Sequence, residues 1–466
     1  MSVGIIIFLI LFLALAVWRL NWAVLFIIFA LPSYLIRFQI LGLPSTILEA
    51  MILIAFAVWC LRDFLPGLKN AFRSGAKRQP YPFGWEIILV LLVSFLAVGV
   101  AGFSLSALGI WRAYFLEPIL LFILIFNCCK GREGREKILW ALLLAAAAIS
   151  LFAVFQKITG LGIANPFWQA AATRRVTSFF PYPNAVGLFL GPLILIFAGW
   201  LWSLPWPGEK NAAGKKITII LTLALSILAI YFAKSWGAIV ALGVAGLFFL
   251  VLAGKKSRLA ALVIVVLGAL AFMSFSPLRQ AAAEKIGLES LSGQIRRQQW
   301  QETLVMLNHG HFWLGAGLAN FQAAVAPYHQ AGLFFNRDHL ANFDAQLRAS
   351  AELRARYWQP VEIYLYPHNI LLNFWSELGL AGALLFAWLI GKYLFLSGRL
   401  ARLSSRAGRT EKYLAIGWLT AMVTFVVHGL VDVPYFKNDL AALFWLLLAF
   451  LGALNLSYRR GREPKD

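Results

Sequence analysis

The sequence predicts an all-α polytopic membrane protein with about twelve or thirteen transmembrane helices and one large, mostly helical outer loop. Three observations predict this fold class. Hydrophobic residues make up 61% of the 466-residue chain and charged residues only 13%, with a mean hydropathy of +0.77. Apolar runs of membrane-crossing length recur along the chain, and basic residues are concentrated in short segments between them. A soluble protein needs a far more polar surface than this composition supplies.

The apolar runs define the helices in chain order. The first run has neither a basic n-region nor a clean small-residue cleavage site, which favours a membrane helix over a signal peptide. The first two runs are short, so twelve spans is the alternative to thirteen. The expected spans are 3–18, 22–36, 45–61, 84–102, 110–127, 137–155, 184–203, 216–233, 235–252, 259–276, 369–396, 412–431 and 439–457.

Basic residues predict the orientation. The net charge is +21 and the pI about 10.1, which in a soluble protein would suggest nucleic-acid binding. Here the cations lie in short loops, where positive charge marks the cytoplasmic side, so we expect no nucleic-acid partner. The blocks run from Arg62 to Arg78, Lys130 to Lys137, Lys210 to Lys216, Lys255 to Arg258, Arg399 to Lys412 and Arg459 to Lys465. With these blocks inside, the C-terminus is cytoplasmic and the long polar segment lies outside.

That polar segment divides the chain into three parts. We expect a transmembrane helix bundle at 1–276, an outer helical loop at 277–367, and further transmembrane helices with a short basic tail at 368–466. Within the loop, apolar residues at helical spacing predict amphipathic helices over Gln294–Leu307 and Arg337–Trp358.

No metal site or disulfide framework is predicted. The cysteines fall at expected cytoplasmic helix ends, and the remaining histidines are spaced unlike any common ligand set, which favours structural roles. The outer segments also lack an Asp-x-Asp pair. These residues are Cys60, Cys128, Cys129, His309, His311, His329, His339 and His428.

Charged and polar residues inside the spans are concentrated at the outer ends. Such groups are costly at membrane depth and usually mark function. The one-sided set predicts a polar cavity that opens to the outer face beneath the loop. For any single member, a structural ion pair is the alternative. The set comprises Glu49, Arg112, Glu117, Lys234, Glu377, His428 and Asp432.

Four outer stretches sharpen this prediction. Arg174–Asn184 leads from a loop into a span, Ala233–Ala238 is a tight turn, and Ser292–Trp300 opens the first loop helix. Each offers a cation that suits an anionic lipid headgroup, guanidinium above all because it bonds phosphate oxygens in pairs. In the fourth stretch, Tyr366–Asn369, a histidine stands where a membrane helix meets water.

Together these stretches resemble the O-antigen ligase/O-antigen polymerase family. The resemblance runs in order over roughly 175–448 and more faintly over Leu116-Glu117-Pro118. The stretches that carry it are Arg175-Val176-Thr177-Ser178-Phe179-Phe180 with Pro183-Asn184, Lys234-Ser235 with Gly237-Ala238, Arg296 with Trp300, Leu314-Gly315-Ala316-Gly317-Leu318 with Phe321, Pro367-His368-Asn369, Glu377-Leu378-Gly379-Leu380-Ala381-Gly382 and Gly429-Leu430-Val431-Asp432 with Pro434.

The resemblance implies a bacterial inner-membrane glycosyltransferase that uses a polyprenyl-diphosphate-linked glycan at the periplasmic face, with no metal, nucleotide sugar or other cofactor. It implies His368 as the essential histidine and Arg175, Lys234 and Arg296 as the diphosphate-binding cations. The short turn has Ser235-Trp236-Gly237 where the family often has Ser-Arg-Gly, so Lys234 has to supply that cation. Arg174 and Arg297 adjoin the matched arginines, and either member of each pair remains a candidate.

The residues suit that chemistry independently. Departure of a lipid diphosphate concentrates negative charge that fixed cations stabilise in a water-poor site. A histidine can take the acceptor's proton near neutral pH. Asn369 or Glu377 would orient its ring, and Glu117 and Asp432 are further supporting candidates.

Several alternatives stay open at this stage. Ligase and polymerase activities are not separated by any motif, and the acceptor is a glycan, lipid A core or protein, through a hydroxyl or an amide. A permease or flippase is the alternative from another class, although charges through the inner half of the spans, which alternating access needs, are missing from the sequence.

Overall fold

The computed structural model describes residues 2–40, 42–74, 81–205, 210–404 and 408–460. Parts of three basic blocks, at 75–80, 405–407 and 461–466, lie outside the described residues. The described chain is mostly helical, which confirms the predicted all-α fold class.

The helices follow the apolar pattern of the sequence. They are α1 Val3–Trp18, α2 Leu20–Phe29, α3 Ile47–Trp59, α4 Leu65–Ser74, α5 Gly84–Val100, α6 Leu105–Trp111, α7 Glu117–Cys128, α8 Gly131–Thr159, α9 Asn184–Ser203, α10 Lys210–Ala233, α11 Trp236–Ala253, α12 Lys255–Ser274, α13 Ser276–Lys285, α14 Leu291–Met306, α15 Phe321–Val325, α16 Phe343–Ala349, α17 Ala351–Tyr357, α18 Ile370–Ser404, α19 Arg409–Gly429 and α20 Asn438–Arg460. Single π turns, Cys60–Phe64 and Arg112–Leu116, join α3 to α4 and α6 to α7.

Each predicted span overlaps a helix, although α2 ends at Phe29 and a 3₁₀ turn at Leu31–Leu35 covers the rest of the span expected at 22–36. Among the described residues, eight helices are long and apolar enough to cross a membrane, and α1, α2 and α5 are shorter apolar helices. Their outward faces carry many exposed leucines, valines and isoleucines, as lipid-facing surfaces do. The chain is therefore a multi-pass membrane protein.

Helix α19 forms the centre of the bundle. It packs against α9, α11 and α18, and α20 packs against α7. Glycines allow the closest of these approaches, because a Cβ on Gly199 of α9 would lie 2.8 Å from the Cα of Gly417 on α19. Helices from both ends of the sequence thus share one bundle.

The strands are two short hairpins. Strand β1 (Arg37–Ile40) pairs antiparallel with β2 (Leu43–Thr46), and β3 (Gly332–Phe334) pairs with β4 (Trp358–Pro360). The second hairpin closes the outer segment, so that α16 and α17 lie between its strands.

One expectation for the outer segment is confirmed and one is wrong. A helix covers most of Gln294–Leu307, as predicted, but the single helix expected over Arg337–Trp358 is two short ones. They are separated at Ser350, whose extended backbone and hydroxyl cap the second helix by accepting a hydrogen bond from the backbone N–H of Leu353.

Candidate active site

Five segments converge at one end of the bundle and bring the predicted site residues together. They are the loop between α8 and α9, the α10–α11 turn, α14, the residues before α18, and the α19–α20 connection. Hydrogen bonds that cross between these segments, described below, hold them in place.

Arg175 joins the first two segments. Its Nε donates to the carbonyl of Ala233 at 2.9 Å, and one terminal nitrogen donates to Asn184 Oδ1 at 3.0 Å and to the Lys234 carbonyl at 3.3 Å. The guanidinium lies 4.8 Å from the ring centroid of Trp168. Burial and the neighbouring charge of Arg296 lower the pKa of Arg175. The other terminal nitrogen, NH1, has no hydrogen-bond partner among the described residues.

Asp432 enters the same network through a neutral amide. Asn184 accepts from Arg175 and donates through Nδ2 to Asp432 Oδ2 at 3.2 Å. The carboxylate, only 5% exposed, also accepts from the backbone N–H of Val433 at 2.9 Å. Arg175 therefore retains a charge that no direct ion pair neutralises in the described structure.

Arg296 and Lys234 supply the other cations. Arg296 Nε donates to the carbonyl of Val431 at 2.7 Å and NH1 to that of Ser292 at 3.2 Å. Lys234 is exposed, adopts a left-handed backbone with φ of 50°, and its Nζ approaches the Thr173 carbonyl at 3.4 Å. Both arginines are thus held mainly by uncharged acceptors, which fix their position without cancelling their charge.

His368 lies just before α18, and one of its two ring nitrogens, Nδ1, contacts a side-chain amide. Its Nδ1 lies 3.0 Å from Gln299 Oε1. An amide oxygen only accepts, so Nδ1 carries the proton and Nε2 carries the lone pair. The ring packs edge-on against Tyr364, with the ring centroids 5.2 Å apart. Gln299 thereby selects the tautomer that a general base needs.

The charges near His368 act on its titration in opposite directions. Burial lowers the pKa of His368, and the Arg296 charge lowers it further, whereas the Asp432 carboxylate raises it. Burial alone would raise the pKa of Asp432, but the charges of His368, His428 and Arg296 hold it below its usual range. Asp432 is therefore placed to stabilise the imidazolium that forms when His368 takes a proton.

The two adjoining arginines have partners elsewhere. Arg174 donates to the carbonyls of Lys157 at 2.9 Å and Ile158 at 3.4 Å, which closes the C-terminal end of α8. Arg297 is exposed and donates to the Gly287 carbonyl. In each pair, the residue matched by the resemblance is the one that lies with the other site residues.

The supporting candidates have contacts other than those expected. Asn369 Oδ1 accepts from the backbone N–H groups of Leu371 and Leu372 and so caps α18, while Glu377 accepts from the backbone N–H of Ala319. The side chain that contacts the His368 ring nitrogen is that of Gln299, and neither Asn369 nor Glu377 hydrogen-bonds to this ring among the described residues. Glu117 lies in a separate network, where Arg112 is 3.1 Å from it and 2.7 Å from Glu49.

Sequence reasoning missed Gln299 and Lys437. Gln299 lies in the Ser292–Trp300 stretch, but its contact with His368 becomes visible only when α14 packs against the start of α18. Lys437 lies with Nζ 3.7 Å from the ring centroid of Tyr182, has no hydrogen-bond partner among the described residues, and interacts with Asp432. Burial lowers its pKa to about 8. In the sequence, Lys437 simply follows the aromatic pair Tyr435-Phe436, which gave no signal that it lies near Asp432 and Tyr182.

Comparison with known families agrees with this geometry. A family model described as O-antigen ligase matches residues 221–387. This segment of the chain is similar to the O-antigen ligase family. The resemblance seen in the sequence is thereby confirmed, and no curated protein matches the chain. The match supports O-antigen ligase-type glycan transfer, with glycan and lipid-linked substrates in general.

The matched segment contains part of the site. Lys234, Arg296, Gln299 and His368 fall within the matched residues 221–387. Arg175, Asn184 and Asp432 lie outside this segment. Arg175 bonds directly to the carbonyls of Ala233 and Lys234 within the segment, and Asn184 links Asp432 to Arg175.

Replacing each of the paired arginines separates their roles. We expect Arg175→Ala to lower kcat/KM for a polyprenyl-diphosphate donor by about 10²-fold, because a fixed donor to developing charge is lost. Arg174→Ala is expected to lower the melting temperature, by a stability loss of about 1 kcal/mol, with the donor KM unchanged. Kinetics and thermal unfolding of both purified variants check this, and equal kinetic losses would contradict the assignment.

The pH profile tests the surroundings of His368. A role of His368 as general base requires its neutral form, so this hypothesis predicts that the rate falls as the pH drops through the pKa that burial has lowered. Asp432→Asn removes the carboxylate that raises this pKa, and the acid limb of kcat/KM should move to lower pH. Gln299→Glu places a carboxylate at Nδ1 and should move the limb to higher pH. Unchanged profiles would show that neither residue acts on the base, and shifts of the same sign would contradict the opposite electrostatic effects expected of the two changes.

Proposed function

We propose that this protein transfers a glycan from a polyprenyl diphosphate to an acceptor hydroxyl at the periplasmic face of the bacterial inner membrane, without a metal ion. One observation carries the proposal. The guanidinium groups of Arg175 and Arg296 are held by uncharged acceptors, and they lie at the same end of the bundle as His368. The Nδ1 atom of His368 contacts the side-chain amide oxygen of Gln299. A bound anion and a general base are the two requirements of this transfer.

The diphosphate is held between Arg175 and Arg296. NH1 of Arg175 and NH2 of Arg296 have no hydrogen-bond partner among the described residues, and each can donate to a phosphate oxygen. The two like charges lie near enough for Arg296 to lower the pKa of Arg175, and an anion between them relieves that repulsion. Lys234 adds a third, more exposed cation.

The reaction breaks one bond and forms another with the charge balanced. The acceptor oxygen attacks the anomeric carbon while the bond from that carbon to the phosphate oxygen breaks, and the bonding electrons leave with the diphosphate. The acceptor's proton passes to Nε2 of His368. The resulting imidazolium is stabilised by Asp432, and the arginines stabilise the charge on the leaving group.

The orientation follows from the basic loops. The described parts of those loops join the helix ends that lie opposite the site. Because positively charged loops face the cytoplasm, the site belongs to the periplasmic side and the C-terminus to the cytoplasm. The acceptor is lipid A core, a protein, or the growing end of another glycan. The first two would make the enzyme a ligase and the third a polymerase.

In vitro transfer by purified protein tests the proposal. The donor is a polyprenyl-diphosphate glycan, the buffer contains EDTA, and the acceptors are lipid A core, protein and a second donor molecule. His368→Ala should lower kcat by about 10²-fold to 10⁴-fold because the base is lost. His309→Ala is the matched control, since His309 is exposed and its Nδ1 contacts only the Val305 carbonyl among the described residues.

The acceptor that is used identifies the reaction as ligation or polymerisation. Absence of transfer by the wild type, together with solute or lipid movement across liposomes that His368→Ala leaves intact, would overturn the proposal in favour of a permease or flippase.

A further inference from the structure

We propose that Glu302 is a positioning residue of the candidate active site. Its buried carboxylate, acting through His329, fixes the segment that leads into His368 relative to helix α14. This inference rests on the proposed function, because the residue that is positioned is the base of the same reaction. It goes beyond that function, because neither Glu302 nor His329 takes part in the transfer step itself.

Helix α14 carries three polar side chains at intervals of three residues, so that each is the neighbour of the next on the helix surface. The first, Arg296, bonds the carbonyl of Val431, and the second, Gln299, contacts His368. The third is Glu302, which is only 6% exposed. A carboxylate so deeply buried is costly unless it is hydrogen-bonded, so its partners indicate its role.

Both oxygens of the Glu302 carboxylate have partners in the outer segment or on α14. Oε1 accepts from Gln298 Nε2 and from the backbone N–H of Gln330, each at 2.8 Å. Oε2 lies 3.3 Å from His329 Nδ1, and His329 Nε2 lies 3.0 Å from the carbonyl oxygen of Val361. We call these five residues the Glu302 network. It bonds α14 to the start of the segment that ends at the proposed base.

The acceptors of the Glu302 network determine where its protons lie. The Val361 carbonyl only accepts, so Nε2 of His329 carries a proton. A carboxylate oxygen also accepts, so the bond between His329 Nδ1 and Glu302 Oε2 needs one further proton. Glu302→Gln removes that need, because an amide nitrogen donates to Nδ1 while the amide oxygen still accepts from Gln298 and Gln330. This variant therefore preserves the network, and Glu302→Ala breaks it.

The segment between Val361 and His368 contains neither helix nor strand, so side chains have to hold it. Val361 is tied on both sides, since its N–H donates to the Ala331 carbonyl at 3.0 Å and its own carbonyl faces the Glu302 network. Farther along, the Ile363 carbonyl accepts from Gln322 Nε2 at 2.8 Å. The Glu302 network thus fixes the beginning of this segment.

The backbone of His368 explains why such fixing matters. It is left-handed, with φ of 47°. This conformation is costly for a residue with a Cβ and persists only where surrounding contacts enforce it. Gln299 holds the His368 ring, and the Glu302 network holds the start of its segment, both from α14. Loss of the network would displace the base, whereas Arg296 keeps its own carbonyl partners.

Hydrogen exchange tests the positioning without requiring transfer. The sample is the full-length protein in nanodiscs, and mass spectrometry measures deuterium uptake in peptides that cover residues 361–368. Glu302→Ala should raise this uptake, and Glu302→Gln should leave it at the wild-type level. Unchanged uptake in Glu302→Ala, or an equal rise in Glu302→Gln, would overturn the inference.

Tyr357→Phe is the matched control for a general loss of stability. It removes the 2.5 Å hydrogen bond from the Tyr357 hydroxyl to Asp338, which lies in the same outer segment but does not involve the Glu302 network. Uptake at 361–368 should stay at the wild-type level in this variant. A rise equal to that of Glu302→Ala would show a loosened outer segment and contradict a specific role of Glu302.

Steady-state kinetics provide the second measurement. Glu302→Ala should lower kcat by about tenfold to 100-fold and leave KM for the polyprenyl-diphosphate donor unchanged, because the base is displaced while the arginines stay in place. Glu302→Gln should restore kcat, and Tyr357→Phe should change neither constant. A rise in donor KM without a loss of kcat would contradict positioning of the base.

A double-mutant cycle tests whether Glu302 acts through the contact between Gln299 and His368. If it does, Gln299→Ala and Glu302→Ala disturb the same contact, and the double variant should have about the kcat of the slower single variant. Losses that multiply would show that the two residues act independently, which would overturn this route.

The outcomes separate this inference from the proposed function. Transfer with unchanged kcat in Glu302→Ala would contradict the positioning role and leave the glycan-transfer reaction intact. Raised uptake at 361–368 in Glu302→Ala, in a protein whose wild type transfers nothing, would support the Glu302 network and contradict the reaction. If Glu302→Ala does not fold, His329→Ala carries the same predictions, because it removes the bridge to Val361 and leaves Gln298 and Gln330 bonded to the carboxylate.

Discussion

The site depends on the amide of Asn184, which lies between a cation and an anion. Its oxygen accepts from Arg175 and its nitrogen donates to Asp432. A direct pair between these two charges would neutralise the guanidinium and reduce its attraction for a substrate anion. With the amide between them, Arg175 keeps its charge and Asp432 remains available to influence His368.

The same principle extends to two further arginines at this end of the bundle. Arg296 bonds the carbonyl of Val431, and Arg174 bonds carbonyls at the end of α8. Helix ends expose carbonyls that have no intrahelical partner, so the bundle satisfies these long basic side chains without carboxylates. An anchored but uncompensated positive charge is costly in isolation, and the diphosphate of the proposed donor would provide the missing negative charge.

The sequence predicted the fold well because the bilayer constrains it strongly. Each apolar run became a helix, since backbone groups in hydrocarbon have to bond within the segment. The site was predictable in part: motif order pointed to Arg175, Lys234, Arg296 and His368, and the structure brings them to one end of the bundle. Gln299 and Lys437 could not be found in this way, because their roles depend on side-chain contacts between segments that are distant in the sequence. The break at Ser350 was missed because one capping hydroxyl overrides a helical pattern of apolar residues.

A structure determined with a polyprenyl diphosphate bound, in nanodiscs and without an acceptor, tests the central claim most directly. We expect diphosphate density between NH1 of Arg175 and NH2 of Arg296, with Nε2 of His368 facing the sugar side of the site. Density for the diphosphate on the exposed arginines of α17, or anywhere that leaves Arg175 and Arg296 without contact, would contradict it.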